Sequence, residues 1–217
     1  MATLSDILKS VGGITEQDAA EPTGSDLTTR IRYANDSLQE WGDAYKWEEL
    51  KVSYPFTISA DSTVSLALPS NFRKDESALY VYSTTSVYPD KYDLIDAKAR
   101  FDKLSGDKYA YIMGSYPNKT LIVPIGLSSG ASTLMDIGIF PSSLATLTDS
   151  VPLASAQYLV KRITSMVFES RGDSRYPVSR SEADRLLAQM VEQQNAQSGG
   201  QTNSIPRITN GFVIGED

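Results

Sequence analysis

Histidine and cysteine are both absent from the 217 residues, so the side chains left for chemistry are carboxylates, lysines and hydroxyls. Without imidazole the chain lacks the commonest general acid–base group and the commonest nitrogen ligand for metals. Nucleophiles activated by histidine are excluded, and so are disulfides and thiolate metal sites. Carboxylate-only and lysine-based chemistry remain. Adjacent acids stand at Glu48-Glu49, Asp75-Glu76 and Glu216-Asp217. Two carboxylates run glycoside hydrolysis only when a fold holds them about 5–10 Å apart across a cleft. Neighbours in sequence establish no cleft, and solvated surface charge accounts for them more simply. There is no phosphate-cradling glycine loop followed by Lys-Ser or Lys-Thr. Asn118-Lys119-Thr120 fits the glycosylation sequon, which is incidental in a chain expected to lack an export signal. The expectation is a protein that is not an enzyme and takes no cofactor and no metal.

Binding chemistry is better represented. The polar spacer after Gln193 leads into Ser204-Ile-Pro-Arg-Ile-Thr-Asn-Gly-Phe-Val-Ile-Gly-Glu-Asp217. Such a spacer is linker chemistry. Ile205, Arg207, Ile208, Phe212, Val213 and Ile214 are therefore expected to form an arm that docks on another chain, adding an extended segment to its surface. Folding back on the parent domain is the competing account. Seven of the twelve tyrosines fall between Tyr80 and Tyr116. Tyrosine pairs an apolar ring with a polar tip and is common at interfaces, although it also favours half-buried strands. Tyr88, Tyr92 and Tyr116 are the expected contact residues. The net charge is −7 and the pI about 4.7. No run of Lys and Arg offers a phosphate-binding stripe, and Asp173 interrupts the nearest approach between Arg171 and Arg180. The negative balance favours solubility.

The elements that must position these residues follow from apolar spacing. Leu4 to Val11 reads as a short helix capped by Thr3 or Ser5 and ended by Gly12-Gly13. Leu27, Ile31, Ala34, Leu38, Trp41 and Tyr45 lay one stripe along a long helix, with Arg30 among its polar sides. From Lys51 the period becomes two. Val52, Tyr54, Phe56 and Ile58 share a face, and Pro55 indicates an edge strand. Turn residues at Ala60-Asp61-Ser62 lead to Val64, Leu66 and Leu68, and the two runs read as a hairpin. Leu79 to Tyr82 is a strand, Tyr88 to Tyr92 a loop, and Ala97 to Leu104 a short helix. Tyr109 to Met113 and Thr120 to Ile125 form a second hairpin, and a strand from Ser132 stops at Pro141. Helices resume after Asp149, with Pro152 in the first turn. Ser179 to Glu182 matches a capping box that opens the last helix. The fold class is α+β: a helical bundle built from N- and C-terminal helices, with an inserted β-rich lobe and an extended C-terminal arm. The boundaries are 1–50, 51–148, 149–197 and 198–217.

This pattern resembles the head-to-tail connector, or tail adaptor, proteins of short-tailed bacteriophages. The resemblance rests on Leu27 to Leu50 with its Tyr-Lys-Trp-Glu-Glu-Leu ending, and on Tyr54-Pro-Phe-Thr-Ile58 followed by Leu66-Ala-Leu-Pro-Ser-Asn-Phe-Arg73. It also rests on Tyr109 to Gly114 with Leu121 to Pro124, and on the paired helices from Ser150 to Asn195. It implies a virion structural protein at the head–tail junction, made in the host bacterial cytoplasm. It implies self-association into a dodecameric ring under the portal protein, a tail or nozzle partner, and DNA passing through the channel without specific binding. It implies no membrane contact. An electronegative lumen would keep the genome mobile. Another tail-completion or tail-tube subunit, a carboxylate-based hydrolase, and a plain cytoplasmic binding module are the alternatives.

Overall fold

The computed structural model describes residues 2–18, 20–57, 62–76, 78–82, 88–104, 106–127, 131–153 and 155–197. The arm residues Ile205, Arg207, Ile208, Phe212, Val213 and Ile214, the Gly199-Gly200 spacer and the Ala60-Asp61 turn lie outside them. The described chain is mixed α and β. Helices α1 (Leu4–Thr15) and α2 (Gly24–Ala44) precede strands β1 (Lys51–Thr57), β2 (Ser62–Ala67), β3 (Phe72–Asp75), β4 (Leu79–Tyr82) and β5 (Asp90–Ile95). Strands β6 (Tyr109–Met113), β7 (Thr120–Leu127) and β8 (Ser132–Ile139) follow, then helices α3 (Ala156–Ser170) and α4 (Tyr176–Gln197).

Thr3 starts α1 as a capping box. Its hydroxyl accepts from the Asp6 amide, and the Asp6 carboxylate accepts from the Thr3 amide at 3.0 Å. Gly12-Gly13 was expected to end this helix, yet it continues to Thr15. A Cβ on Gly12 would stand 2.6 Å from the Asp18 carbonyl, so the glycine makes room for the returning chain instead. In α2 the stripe is real, with Ala34, Leu38 and Trp41 buried. Arg30 departs from expectation. It is 1% exposed and pairs with Asp26 at 3.0 Å and with Glu16. Arg171 also reaches Glu16, at 2.6 Å, and that hydrogen bond holds the carboxyl below its ordinary value, with the charge of Arg30 adding to it.

Helix α3 begins at Ala156, not just after Asp149. The preceding segment is committed elsewhere. Val151 donates to the Ala2 carbonyl at 3.1 Å, Ser150 bridges Thr3, and the Asp149 carboxylate accepts from the amides of Ala145 and Thr146. The capping box expected at Ser179 is not used as one either. Helix α4 already runs from Tyr176, Ser179 is buried inside it, and Glu182 pairs with Lys161 at 2.6 Å. The four helices share one apolar cluster, which includes Leu8, Leu38, Trp41, Leu159, Ile163 and Leu187. Glu40 ties three of them together, accepting from Arg162 of α3 at 2.6 Å and Arg180 of α4 at 3.0 Å.

The strands form one sheet in the order β1-β8-β4-β5-β6-β7-β2, and β3 also pairs with β8. The expected hairpin of the first two strands is absent. β1 pairs antiparallel with β8, and β2 with β7, so the two stand at opposite ends of the order. Their similar alternation suits either partner, and no Asn-Gly or Asp-Gly turn ties them together. β1 is an edge, as Pro55 requires. β6 and β7 do form the second hairpin. The expected loop at Tyr88–Tyr92 gives way to β5 from Asp90, and the expected helix at Ala97–Leu104 shrinks to one 3-10 turn at Ala99–Asp102. β5 and β6 are parallel, joined by a crossover through that turn. A second apolar cluster, with Leu79, Tyr92, Leu121, Met135 and Ile137, fills one face of the sheet. Ile139 packs against both clusters.

Two outcomes follow from this packing. A Cβ on Gly42 would stand 2.9 Å from Pro141 Cδ, a stiff ring that cannot rotate away. Gly42→Ala gains about 1 kcal/mol of helix propensity but overpacks the site at a cost of about 1–3 kcal/mol. Urea unfolding is expected to show a net loss, recovered when Pro141→Ala is added; an unchanged or raised midpoint for the single variant contradicts this. The second outcome concerns pH. Hydrogen bonds from Thr146, then from the amide of Ala145, hold Asp149 below its ordinary value of 3.8. A depressed carboxyl stabilises the fold fully above its unfolded pKa, and the gain is lost as pH falls through the folded value. Asp149→Asn should flatten the acid limb of a stability–pH curve below about pH 4. A slope equal to the parent's would show that Asp149 contributes nothing to it.

Candidate interaction surface

Alternation divides the sheet into two faces. Leu79, Val81, Tyr92, Ala110, Leu121 and Val123 point into the core. The intervening residues point outward, and the register aligns them. Tyr80 stands opposite Lys91, Asp93 opposite Tyr109, Ile95 opposite Tyr111, and Tyr111 opposite Ile122. An outer face of an antiparallel sheet is ordinarily polar. This one carries Tyr80, Tyr82, Tyr109, Tyr111, Met113 and Ile122, all half-buried or exposed.

The 3-10 turn at Ala99–Asp102 extends this face. Phe101 is 76% exposed and Leu104 77%, the largest exposures of aliphatic or phenyl side chains on the described surface. Arg100 holds the turn against the sheet. Its guanidinium lies 4.6 Å from the Phe101 ring centre and 5.3 Å from that of Tyr111, and it contacts the Met113 sulfur at 3.2 Å. Tyr109 and Tyr111 lie side by side with ring centres 6.4 Å apart and planes 22° from parallel. The result is a continuous aromatic band, cationic at Arg100, on the side of the sheet that the core does not use. Exposed aromatic surface of this kind is a candidate contact site.

The residues named from sequence fall in three places. Tyr88 is exposed, beside the start of β5. Tyr116 is 62% exposed in the β6–β7 turn and meets the Phe140 ring edge-on at 5.7 Å. Tyr92 is not a surface residue. It is 5% exposed, opposite Leu79 in the core, and burial raises its phenol above the ordinary value. Sequence reasoning missed Tyr109, Tyr111, Arg100, Phe101 and Leu104 as a group. The tyrosine enrichment pointed to the region, and the period of two would have separated Tyr109 and Tyr111 from Ala110.

The acidic neighbours Glu48-Glu49 are engaged separately, while Glu216-Asp217 lies outside the described residues. Glu48 and Glu76 line a cavity of about 260 Å³ where the helices meet the sheet, together with Lys46, Lys51, Arg73 and Lys74. Glu48 pairs with Lys51 at 3.4 Å and Glu76 with Lys74 at 2.8 Å. Glu49 turns away to accept from Gln194 at 3.3 Å. Among the described residues no group of three carboxylates gathers as a metal site, and no helix is long and apolar enough to cross a membrane. No protein-family model matches the chain, and no curated protein is significantly similar to it.

The two kinds of aromatic residue should respond oppositely to substitution. Phe101→Ser should shift unfolding stability by no more than about 0.5 kcal/mol, because the ring is already in water. Tyr92→Ala should cost about 3–4 kcal/mol, as expected for an aromatic core residue. Denaturant titration of both variants checks the assignment of faces, and a large loss in Phe101→Ser would refute it.

Proposed function

We propose that the chain is an assembly subunit of a virion: a head-to-tail adaptor of a short-tailed bacteriophage that forms a ring beneath the portal. The observation that carries the assembly part of the reading is a sheet with two unlike faces, the outer of which carries an aromatic band beside Lys91 and Asp93. One closes the subunit's own core. The other presents Tyr109, Tyr111, Met113 and Phe101 to whatever lies outside. The phage part rests on the sequence resemblance. The order of the elements supports it, because residues 4–44 and 156–197 supply helices to one cluster while the strands between them build another. That arrangement fits a helical bundle with an inserted β lobe.

In this reading the bundle packs against ring neighbours and the portal, and the β lobe presents its outer face to a tail or nozzle protein. The arm carrying Ile205, Ile208, Phe212, Val213 and Ile214 docks on a neighbouring chain of the junction. Each copy contributes a modest interface, and ring closure multiplies it. The net charge of −7 suits a channel wall that DNA slides past. The function is mechanical: to lengthen the channel and supply the surface on which the tail is built.

The test is reconstitution with a portal ring, read by sedimentation and electron imaging. The full chain should add a ring of density to the portal and raise its mass by whole subunits. A variant lacking Ser204–Asp217 should stay folded by circular dichroism and fail to dock. Full-affinity docking by the truncated form would remove the role given to the arm. A full chain that remains a lone monomer beside every portal tried would remove the adaptor reading.

A further inference from the structure

The cavity between helices and sheet holds an arrangement that the assembly role does not use. Lys74 lies on β3 with its stem over the bare backbone of Gly138, where a Cβ would stand 3.5 Å from Lys74 Cγ and 3.1 Å from Glu76 Oε1. Its side chain is 31% exposed. Lys46 lines the same cavity and contacts it, and among the described residues no carboxylate forms an ion pair with Lys46. Glu76 sits 2.8 Å from the Lys74 amine. Lys51 and Arg73 complete the cationic wall. Lys51 is engaged by Glu48, while Arg73 is engaged by the Gly42 carbonyl and, at 3.7 Å, by Asp43.

We propose that Lys74 is a reactive amine that condenses with small carbonyl compounds carrying a carboxylate, such as a 2-oxo acid or its aldehyde counterpart. The neutral amine is the nucleophile, and a neighbouring cation together with partial burial is the established physical route to it. Burial lowers Lys74 below its ordinary value, and Lys46 adds to the effect against the opposing pull of Glu76. The remaining charge of Lys46 is free to hold the carboxylate of the incoming compound. The Lys74 nitrogen attacks the carbonyl carbon and forms a C–N bond, and Glu76 accepts the proton that the ammonium releases. The carbonyl oxygen then leaves as water, giving an imine. No oxidant or reductant is needed. The cavity of about 260 Å³ has room for a compound of this size.

Reductive trapping tests this on the full chain. Limiting glyoxylate with cyanoborohydride near neutral pH converts a lysine imine to a carboxymethyl amine, which peptide mass spectrometry locates. Lys74 is expected to label measurably faster than the exposed Lys91, the direction given by a part-buried amine flanked by a second cation. Acetaldehyde, which lacks the carboxylate, should show a smaller preference for Lys74. Lys46→Met should slow labelling of Lys74 and leave Lys91 unchanged. Labelling of Lys74 at the rate of Lys91 overturns the proposal, as does an unchanged rate in the Lys46→Met variant. Lys46 is exposed, so the Lys46→Met variant is expected to fold, and circular dichroism confirms that before labelling.

Discussion

The stack of Trp41 on Trp47 is the contact on which the rest depends. Helix α2 ends at Ala44, so the carbonyl of Trp41 is among those left without a helical partner. The Trp47 indole supplies one, donating to that carbonyl at 2.6 Å. Its ring lies 4.9 Å from that of Trp41, and both are nearly inaccessible to water. One residue pair therefore ends the helix, seals the apolar cluster and sends the chain out into β1. Arg73 fastens the same corner from the other side, donating to the Gly42 carbonyl and lying 5.8 Å from the Phe140 ring centre. Ile139, which packs against both apolar clusters, adds a further link between the helices and the sheet.

Buried charge sets a second constraint. Arg30 and Arg162 are taken almost wholly out of water, which is costly unless each is met by carboxylates. Glu16 and Asp26 meet the first, and Glu40 meets the second. The Glu40–Arg162 pair joins α2 to α3 and the Glu16–Arg30 pair ties the end of α1 to α2, whereas Asp26–Arg30 lies within α2. They add little net stability over an apolar core, but they penalise any packing that leaves a guanidinium alone. They therefore favour one arrangement of the four helices over its alternatives. Asn35 works in the same way on the loop after β8, donating to the Leu144 carbonyl and accepting from its amide.

The functional reading grows out of the sheet. A single layer of strands with one face in a core ordinarily turns polar residues to the solvent. Here the second face keeps tyrosines, a methionine and a phenylalanine turn pinned by Arg100. The chain thus fills its own core without using these groups, which stay at the surface and on the proposed reading meet a partner. The helical side contributes differently, with a polar exterior and a seam cavity crowded with lysines. The aromatic band and the lysine-lined cavity proposed for these two roles lie in separate parts of the molecule, so either can be altered without the other.

Local periodicity was legible in the residues alone. The 3.6 spacing of Ala34, Leu38 and Trp41 yields α2, and the alternation from Val52 yields β1, because neighbours along the chain decide which face of an element is apolar. The β6–β7 hairpin was legible for the same reason, since its turn formers adjoin both strands. Strand partners were not. β1 reaches across the chain to β8, and nothing local distinguishes that pairing from a hairpin with β2. The start of α3 depends on Ala2 and Thr3 holding Ser150 and Val151 extended, a contact between distant segments. Likewise, Arg30 reads as solvent-facing until Glu16 and Asp26 are seen around it. Tyr92 and Tyr111 have the same composition-level meaning, yet one is core and the other surface. Composition set what kinds of chemistry were possible, through the missing histidine and cysteine. Tertiary contact decided which tyrosines are offered outward and which lysine is desolvated beside another, because burial and charge proximity are properties of the packed chain.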